Sequence, residues 1–89
     1  MDAPGRAEAD DIPEVFWRPG CPFCMKLRVD LKLRRVHARW RNIWEDPAAR
    51  EFVRSVNGGD ETVPTVRLGS TTLTNPPGSK VAALVRAGR

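Results

Sequence analysis

Sulfur, histidine and long apolar runs are all scarce in this chain of 89 residues. There are two cysteines, Cys21 and Cys24, and one histidine, His37. Tetrahedral zinc takes about four nitrogen or sulfur ligands. The supply is too small, and His37 falls on a different element, so no metal centre is expected. No apolar run has the roughly 20 residues that a membrane span needs. The opening stretch, Met1 to Asp11, carries acids and lacks the apolar core of a secretory leader, so the chain reads as cytoplasmic. In that compartment a single cysteine pair points to catalysis or metal binding before it points to a structural staple. Repeats and linkers are missing too, and 89 residues bound the chain to one domain with a modest core. That size excludes a large cofactor held beside a separate substrate domain.

What is present is basic and patterned. Fifteen Lys and Arg against eleven Asp and Glu give a net charge of +4. Arginine dominates the cations, and Ala and Val are abundant, a bias typical of GC-rich genomes. Residues 1–12 are polar and aperiodic and are expected to form a flexible tail, leaving 13–89 as the domain. Glu14-Val15-Phe16-Trp17 reads as a buried strand stopped by Pro19-Gly20. Pro22 suits the first position of a helix, where its missing N–H costs nothing. The run Lys26 to Leu33 alternates strictly, which by period alone reads as a strand. Its residues are good helix formers and no turn precedes it, so a helix is expected. Such a helix carries Leu27/Leu31 on one flank and Met25/Val29/Leu33/Val36 on another, and would need contacts on both.

His37 to Ile43 reads as a second strand, at an edge because of its charge. Asp46-Pro47 is a capping residue followed by a first-turn proline. Ala49, Phe52, Val53 and Val56 then repeat at helical spacing until Gly58-Gly59. Thr65 to Leu68 and Thr71 to Thr74 form a hairpin across Gly69-Ser70. Ser79 is expected to cap a last helix with Val81, Leu84 and Val85 on one face. The order is β-α-β-α-β-β-α.

Cys21-Pro22-Phe23-Cys24 carries the chemistry. Two thiols three apart at a helix entrance put the first at the N-terminus and the second on the first turn. There the helix dipole and free amides favour a thiolate over a thiol, and the thiolate is the species that attacks disulfides. Cys21 would attack one sulfur of a disulfide, and Cys24 would then break the mixed disulfide that results; a second small thiol could do so instead. Pro19-Gly20 is expected to leave Cys21 in an exposed turn, which argues against a pair of core residues.

Strand, tight turn and Cys-X-X-Cys resemble the thioredoxin fold, and the element order fits its four-stranded mixed sheet flanked by helices. Trp17-Arg18-Pro19-Gly20-Cys21-Pro22-Phe23-Cys24 more closely resembles the active site of the glutaredoxins, with Phe23 in place of the commoner tyrosine. Thr62-Val63-Pro64 resembles that family's cis-proline loop. The resemblance covers residues 14–88. It implies a cis Val63-Pro64 bond beside Cys21, with the Val63 backbone pairing with the bound thiol. It also implies that Thr62 flanks that contact, and that Arg18 pairs with a substrate carboxylate and assists the thiolate. Pro22, Phe23 and Pro64 would support the site. Glutathione-binding members carry a Gly-Gly-(Cys/Ser)-Asp-Asp segment, whereas this chain has Thr74-Asn75-Pro76-Pro77-Gly78-Ser79 and no acid there. Thr-Asn-Pro at this point is similar to the mycoredoxins of actinobacteria, which act on mycothiol mixed disulfides. The resemblance therefore implies a monomeric reductase of mixed disulfides between proteins and a small thiol. Asn75 would help bind that thiol, with mycothiol favoured over glutathione as reducing co-substrate and no tightly bound cofactor.

Three other readings compete. The first is a glutaredoxin or redoxin that reduces protein disulfides and draws its electrons from glutathione or from a thioredoxin reductase. The second is a binding module, because Lys26, Arg28, Lys32, Arg34, Arg35, Arg39 and Arg41 crowd one third of the chain, with Asp30 the only acid among them. No nucleic-acid motif accompanies them, and such spacing is the solvated face of a helix more often than a contact surface. The third is iron–sulfur carriage, which Pro22, directly after the first cysteine, disfavours.

Overall fold

The computed structural model describes residues 12–88, so nearly all of the expected N-terminal tail lies outside the described residues. Four strands form one sheet in the order β2-β1-β3-β4: β1 Glu14–Trp17, β2 Arg39–Asn42, β3 Thr65–Leu68 and β4 Thr71–Thr74. β2 runs parallel to β1, whereas β3 is antiparallel to both β1 and β4. Three helices complete the fold: α1 Pro22–Leu33, α2 Pro47–Val56 and α3 Gly78–Ala87. The mixed sheet flanked by helices is the architecture expected from the element order.

The two faces of β1 organise two cores, because successive side chains of a strand point to opposite faces. Val15 packs with Leu27 and Leu31 of α1, Val66, and Val81 of α3. Phe16 packs on the other face with Ile43, Ala49 and Val53. α1 and α3 therefore share one face of the sheet and α2 takes the other.

Local chemistry sets the helix ends. Asp46 caps α2 by accepting from the Ala49 amide at 3.1 Å, and Pro47 opens the helix. α1 stops without glycine. The Val36 amide donates to the Leu31 carbonyl at 2.9 Å and the Arg35 amide to Lys32 at 3.1 Å, which forces Arg35 to φ +60°. This double closure satisfies the last carbonyls, and Val36 folds back onto the core beside Leu31.

Several expectations are corrected. α1 needs contacts on one flank only: Leu27 and Leu31 are buried, while Met25, Val29 and Leu33 stay exposed. A helix lying on a sheet has one covered side, and the flat face of this sheet reaches only the Leu27/Leu31 flank. β2 is shorter than His37 to Ile43, because pairing with β1 covers only Arg39–Asn42. Ser79 does not cap α3. Pro77 takes the extended cap conformation at φ −71° and ψ 157°, and the helix starts two residues earlier, at Gly78, with no side-chain cap. Val56 is exposed at the last turn of α2.

On the α2 face, Glu14 accepts from Arg67 Nε at 2.8 Å and from Arg41 Nη1 at 3.1 Å, while Arg41 Nη2 donates to Asp46 at 2.7 Å. The Arg67 guanidinium also lies 4.2 Å from the centre of the Phe52 ring. Burial works against the Glu14 charge, but the hydrogen bonds from Arg67 and Arg41 outweigh it and hold the carboxyl below its ordinary value of 4.5. A lowered folded value means that Glu14 stabilises the fold fully above about pH 4.5. That contribution is lost as pH falls through the folded value. Glu14→Gln is expected to cost roughly 1–3 kcal/mol at pH 7, from the loss of charged hydrogen bonds. It should also flatten the acid side of the stability profile, leaving the part due to Asp46. Urea titrations at pH 7 and pH 3 measure both effects, and an undiminished acid dependence in the variant would contradict the assignment.

Candidate active site

The cysteine pair sits where β1 hands over to α1. Pro19 and Gly20 turn the chain, with Gly20 at φ +78°, a conformation that L side chains rarely adopt. Cys21 is itself the N-cap of α1: its Sγ accepts from the Cys24 amide at 3.2 Å. Ser, Thr, Asp or Asn usually fill this position. A sulfur held there faces the positive end of the helix, and the same amide would stabilise negative charge on it. Pro22 occupies the first helical position, as expected. Cys21 is buried, with 3% of its surface exposed, which corrects the expected exposed turn. The turn itself is open at Pro19 and Gly20, but the Val63-Pro64 loop closes over the sulfur.

Cys24 is buried on the first turn. Its thiol is pushed up to about 12, first by burial and then by a hydrogen bond to the Cys21 sulfur; the Arg18 backbone amide and guanidinium act weakly the other way. Both cysteines are free thiols. The pair is therefore asymmetric, with a buried proton-bearing thiol behind a sulfur that already accepts an amide.

Val63-Pro64 is cis, and the Val63 carbonyl oxygen lies 3.9 Å from Cys21 Sγ. Pro64 is fully buried. Thr62 is held through its backbone: its carbonyl accepts from Thr65 Oγ1 at 2.7 Å. Asn57 donates to Thr65 Oγ1 at 3.2 Å and accepts from Thr74 Oγ1 at 2.8 Å, joining the end of α2 to the Pro64 loop and to β4. The Asn75 amide donates to the Pro64 carbonyl at 2.7 Å, so the loop after β4 is fastened to the cis-proline. Arg18 reaches the site, where its guanidinium Nη1 donates to the Pro19 carbonyl at 3.2 Å; no acid among the described residues pairs with it. Trp17 is half-buried, with the Arg28 guanidinium 5.2 Å from its ring centre.

Beside the cysteines lies a cavity of about 250 Å³ between the first turns of α1 and the loop that enters α3. Phe23, Lys26, Asp30 and Asn75 give it its aromatic and polar lining. Residues 74–79 lack an acid, as the sequence shows, but the cavity does not: α1 supplies Asp30 to it. Lys26 and Asp30 were not among the expected site residues. The signal that could have found them is helical spacing from Phe23, because residues 23, 26, 27 and 30 share one face of α1. Asn57 had no local signal. Among the described residues no cluster of three or more His, Cys, Asp or Glu side chains could hold a metal ion. No helix among them is long and apolar enough to cross a membrane.

Known proteins resemble this chain in sequence and in fold. The glutaredoxin family model matches residues 14–72. A protein of Mycobacterium tuberculosis described as a glutaredoxin, found in two strains, is 44% identical over 70 residues, spanning 78% of this chain and 83% of its own. Among solved structures, a mutant of a thioredoxin-like protein has a TM-score of 0.69 at 25% identity, over 82% of this chain and 97% of its own. The glutaredoxin of Archaeoglobus fulgidus has a TM-score of 0.66 at 18% identity, over 96% and 97% of the two chains. That of Brucella melitensis reaches 0.61 at 22%, over 97% and 87%. These last two likenesses concern the fold.

The asymmetry of the pair can be checked by alkylation. A thiol with a value of about 12 is un-ionised at pH 8, and only the thiolate reacts. Iodoacetamide at pH 8 is expected to label Cys21 in the folded, reduced protein and to label Cys24 only after unfolding in urea. Peptide mass spectrometry reads the positions, and equal labelling of both in the folded protein would contradict the geometry.

Proposed function

The chain belongs to the glutaredoxin family, and from that membership we propose a mycoredoxin-type reductase that acts through Cys21 and Cys24 on mixed disulfides between mycothiol and cytoplasmic proteins. Thiol–disulfide oxidoreductase chemistry, with disulfide-bearing proteins and a small thiol as reactants, comes with the family. The mycothiol assignment and the residue roles are our reading. The observation that carries the roles is the Cys24 amide on Cys21 Sγ at 3.2 Å.

In the first step the Cys21 thiolate attacks the small-thiol sulfur of the mixed disulfide. A Cys21–small-thiol disulfide forms, and the protein leaves as a thiolate that takes up a proton. In the second step another small thiolate attacks that same small-thiol sulfur, regenerates Cys21 and leaves as part of a symmetric small-thiol disulfide, which its own reductase reduces. In the dithiol route, Cys24 attacks Cys21 Sγ instead, giving up its proton as it does so; the Cys21–small-thiol bond breaks, the small thiol leaves as a thiolate that takes up a proton, and the Cys21–Cys24 disulfide forms. The raised value of Cys24 keeps it a thiol, and so a poor competitor, until that moment. The Val63 backbone would align the incoming thiol as a short strand-like contact. Asn75, fastened to Pro64, would sit at the far end of that thiol, and Arg18 would meet a carboxylate.

Support for mycothiol comes from the Thr74-Asn75-Pro76 segment, the backbone donors removed by Pro76 and Pro77, and the identity to the mycobacterial protein. The decisive assay reduces one protein mixed disulfide in two regenerating systems, mycothiol with its reductase and glutathione with its reductase. Faster turnover with mycothiol is expected, and faster turnover with glutathione would overturn the assignment. Cys21→Ser is expected to abolish turnover in either system. Cys24→Ser should retain the monothiol route, and its complete inactivity would show that the dithiol route is obligatory.

A further inference from the structure

The cavity beside the cysteines contains a charged group that the steps above leave unused. Asp30 lies about two turns along α1 from Phe23 and reaches across to the start of α3. Arg34 Nε donates to its Oδ1 at 3.0 Å, so one oxygen already has a partner. The carboxylate lies so close to Gly78 that a Cβ added there would collide with Oδ2 and sit 2.6 Å from Cγ. Gly78 has an ordinary helical backbone, so its missing side chain serves space and not a left-handed turn. α3 has no acid in its first turn and no side-chain cap. Negative charge at its positive end therefore comes from Asp30, on another helix.

We infer that Asp30 is a specificity-determining residue for the small-thiol co-substrate, accepting hydrogen bonds from the hydroxyls of a neutral polyol group such as a sugar or cyclitol. This inference rests on the reading of the site given above and deepens it. A carboxylate only accepts hydrogen bonds, so its partner must be a donor, such as a hydroxyl, an amide N–H or an ammonium. With Oδ1 taken by Arg34, Oδ2 at the start of α3 is the oxygen left for a ligand. Its charge at the start of α3 opposes a ligand carboxylate, the group that helix amides would otherwise attract. A γ-glutamyl end is disfavoured on that ground, and a neutral group is not. Phe23 is 62% exposed and presents an aromatic face to the same cavity, while Lys26 and Asn75 add donors. An apolar ring beside several polar groups suits the C–H face and hydroxyl rim of a sugar.

The test measures steady-state kinetics with the mycothiol and the glutathione mixed disulfides of one peptide, each coupled to its own reductase. Asp30→Ala is expected to raise KM for the mycothiol disulfide about tenfold, the equivalent of one charged hydrogen bond, with a smaller change in kcat. Asp30→Asn, which keeps one acceptor, should fall between the two. Gly78→Ala keeps the carboxylate but pushes it aside, and should move the ratio of the two KM values the same way. Thermal melts identify any variant that loses its fold, and the remaining variants still decide the question. If the unsubstituted protein prefers mycothiol and the folded variants leave the KM ratio unchanged, the role of Asp30 is overturned while the mycothiol reading stands. If the unsubstituted protein prefers glutathione, the mycothiol reading fails. A rise in the glutathione KM of Asp30→Ala would then overturn the hydroxyl assignment in favour of an ammonium partner.

Discussion

One hydrogen bond joins the fold to the chemistry: the Cys24 amide on Cys21 Sγ at 3.2 Å. It closes the first turn of α1, because a helix leaves its first amides without partners and a side chain must satisfy them. It also fixes the sulfur at the positive end of the helix, facing the Val63 carbonyl. Capping the helix and placing the sulfur are thus one contact, and the rest of the site is arranged around it. Pro22 gives α1 its first position, and Gly20 lets the chain turn in from β1.

The second constraint is the packing of the cis-proline loop against that cap. Its position is set by a chain of polar contacts through Thr65, Asn57 and Thr74, and by the Asn75 amide on the Pro64 carbonyl. Thr65 is completely buried, and a buried hydroxyl needs a partner, which Thr62 and Asn57 supply. The loop after β4 is therefore tied to the loop before β3. The cysteines, Pro64 and Asn75 form one unit, although more than 50 residues separate the first from the last.

Much of this was legible in the sequence, for reasons that differ between elements. α2 was readable because Asp46-Pro47, the spacing of Ala49, Phe52 and Val53, and Gly58-Gly59 are all local signals, and its cap and glycine turn form as expected. The hairpin at Gly69-Ser70 follows in the same way. α1 was harder. Its alternating run favours a strand by period, and Arg35 ends the helix in a left-handed conformation with no glycine to announce it. Which of its apolar flanks would be buried depended on the sheet beneath. The start of α3 was displaced by two residues because Pro77, not Ser79, adopts the cap conformation.

The sequence by itself determined a cysteine pair at a helix entrance, the order of seven elements and the family. Each of these rests on neighbouring residues or on motifs whose spacing is fixed by the chain. Tertiary structure alone decided that Cys21 is covered, that Met25, Val29 and Leu33 face outward, and that Asp30 meets Gly78 across the cavity. The physical reason is that α1 and α3 pack on the same face of one sheet. That packing brings together residues 48 positions apart, 78 less 30, a juxtaposition that no local pattern along the chain encodes.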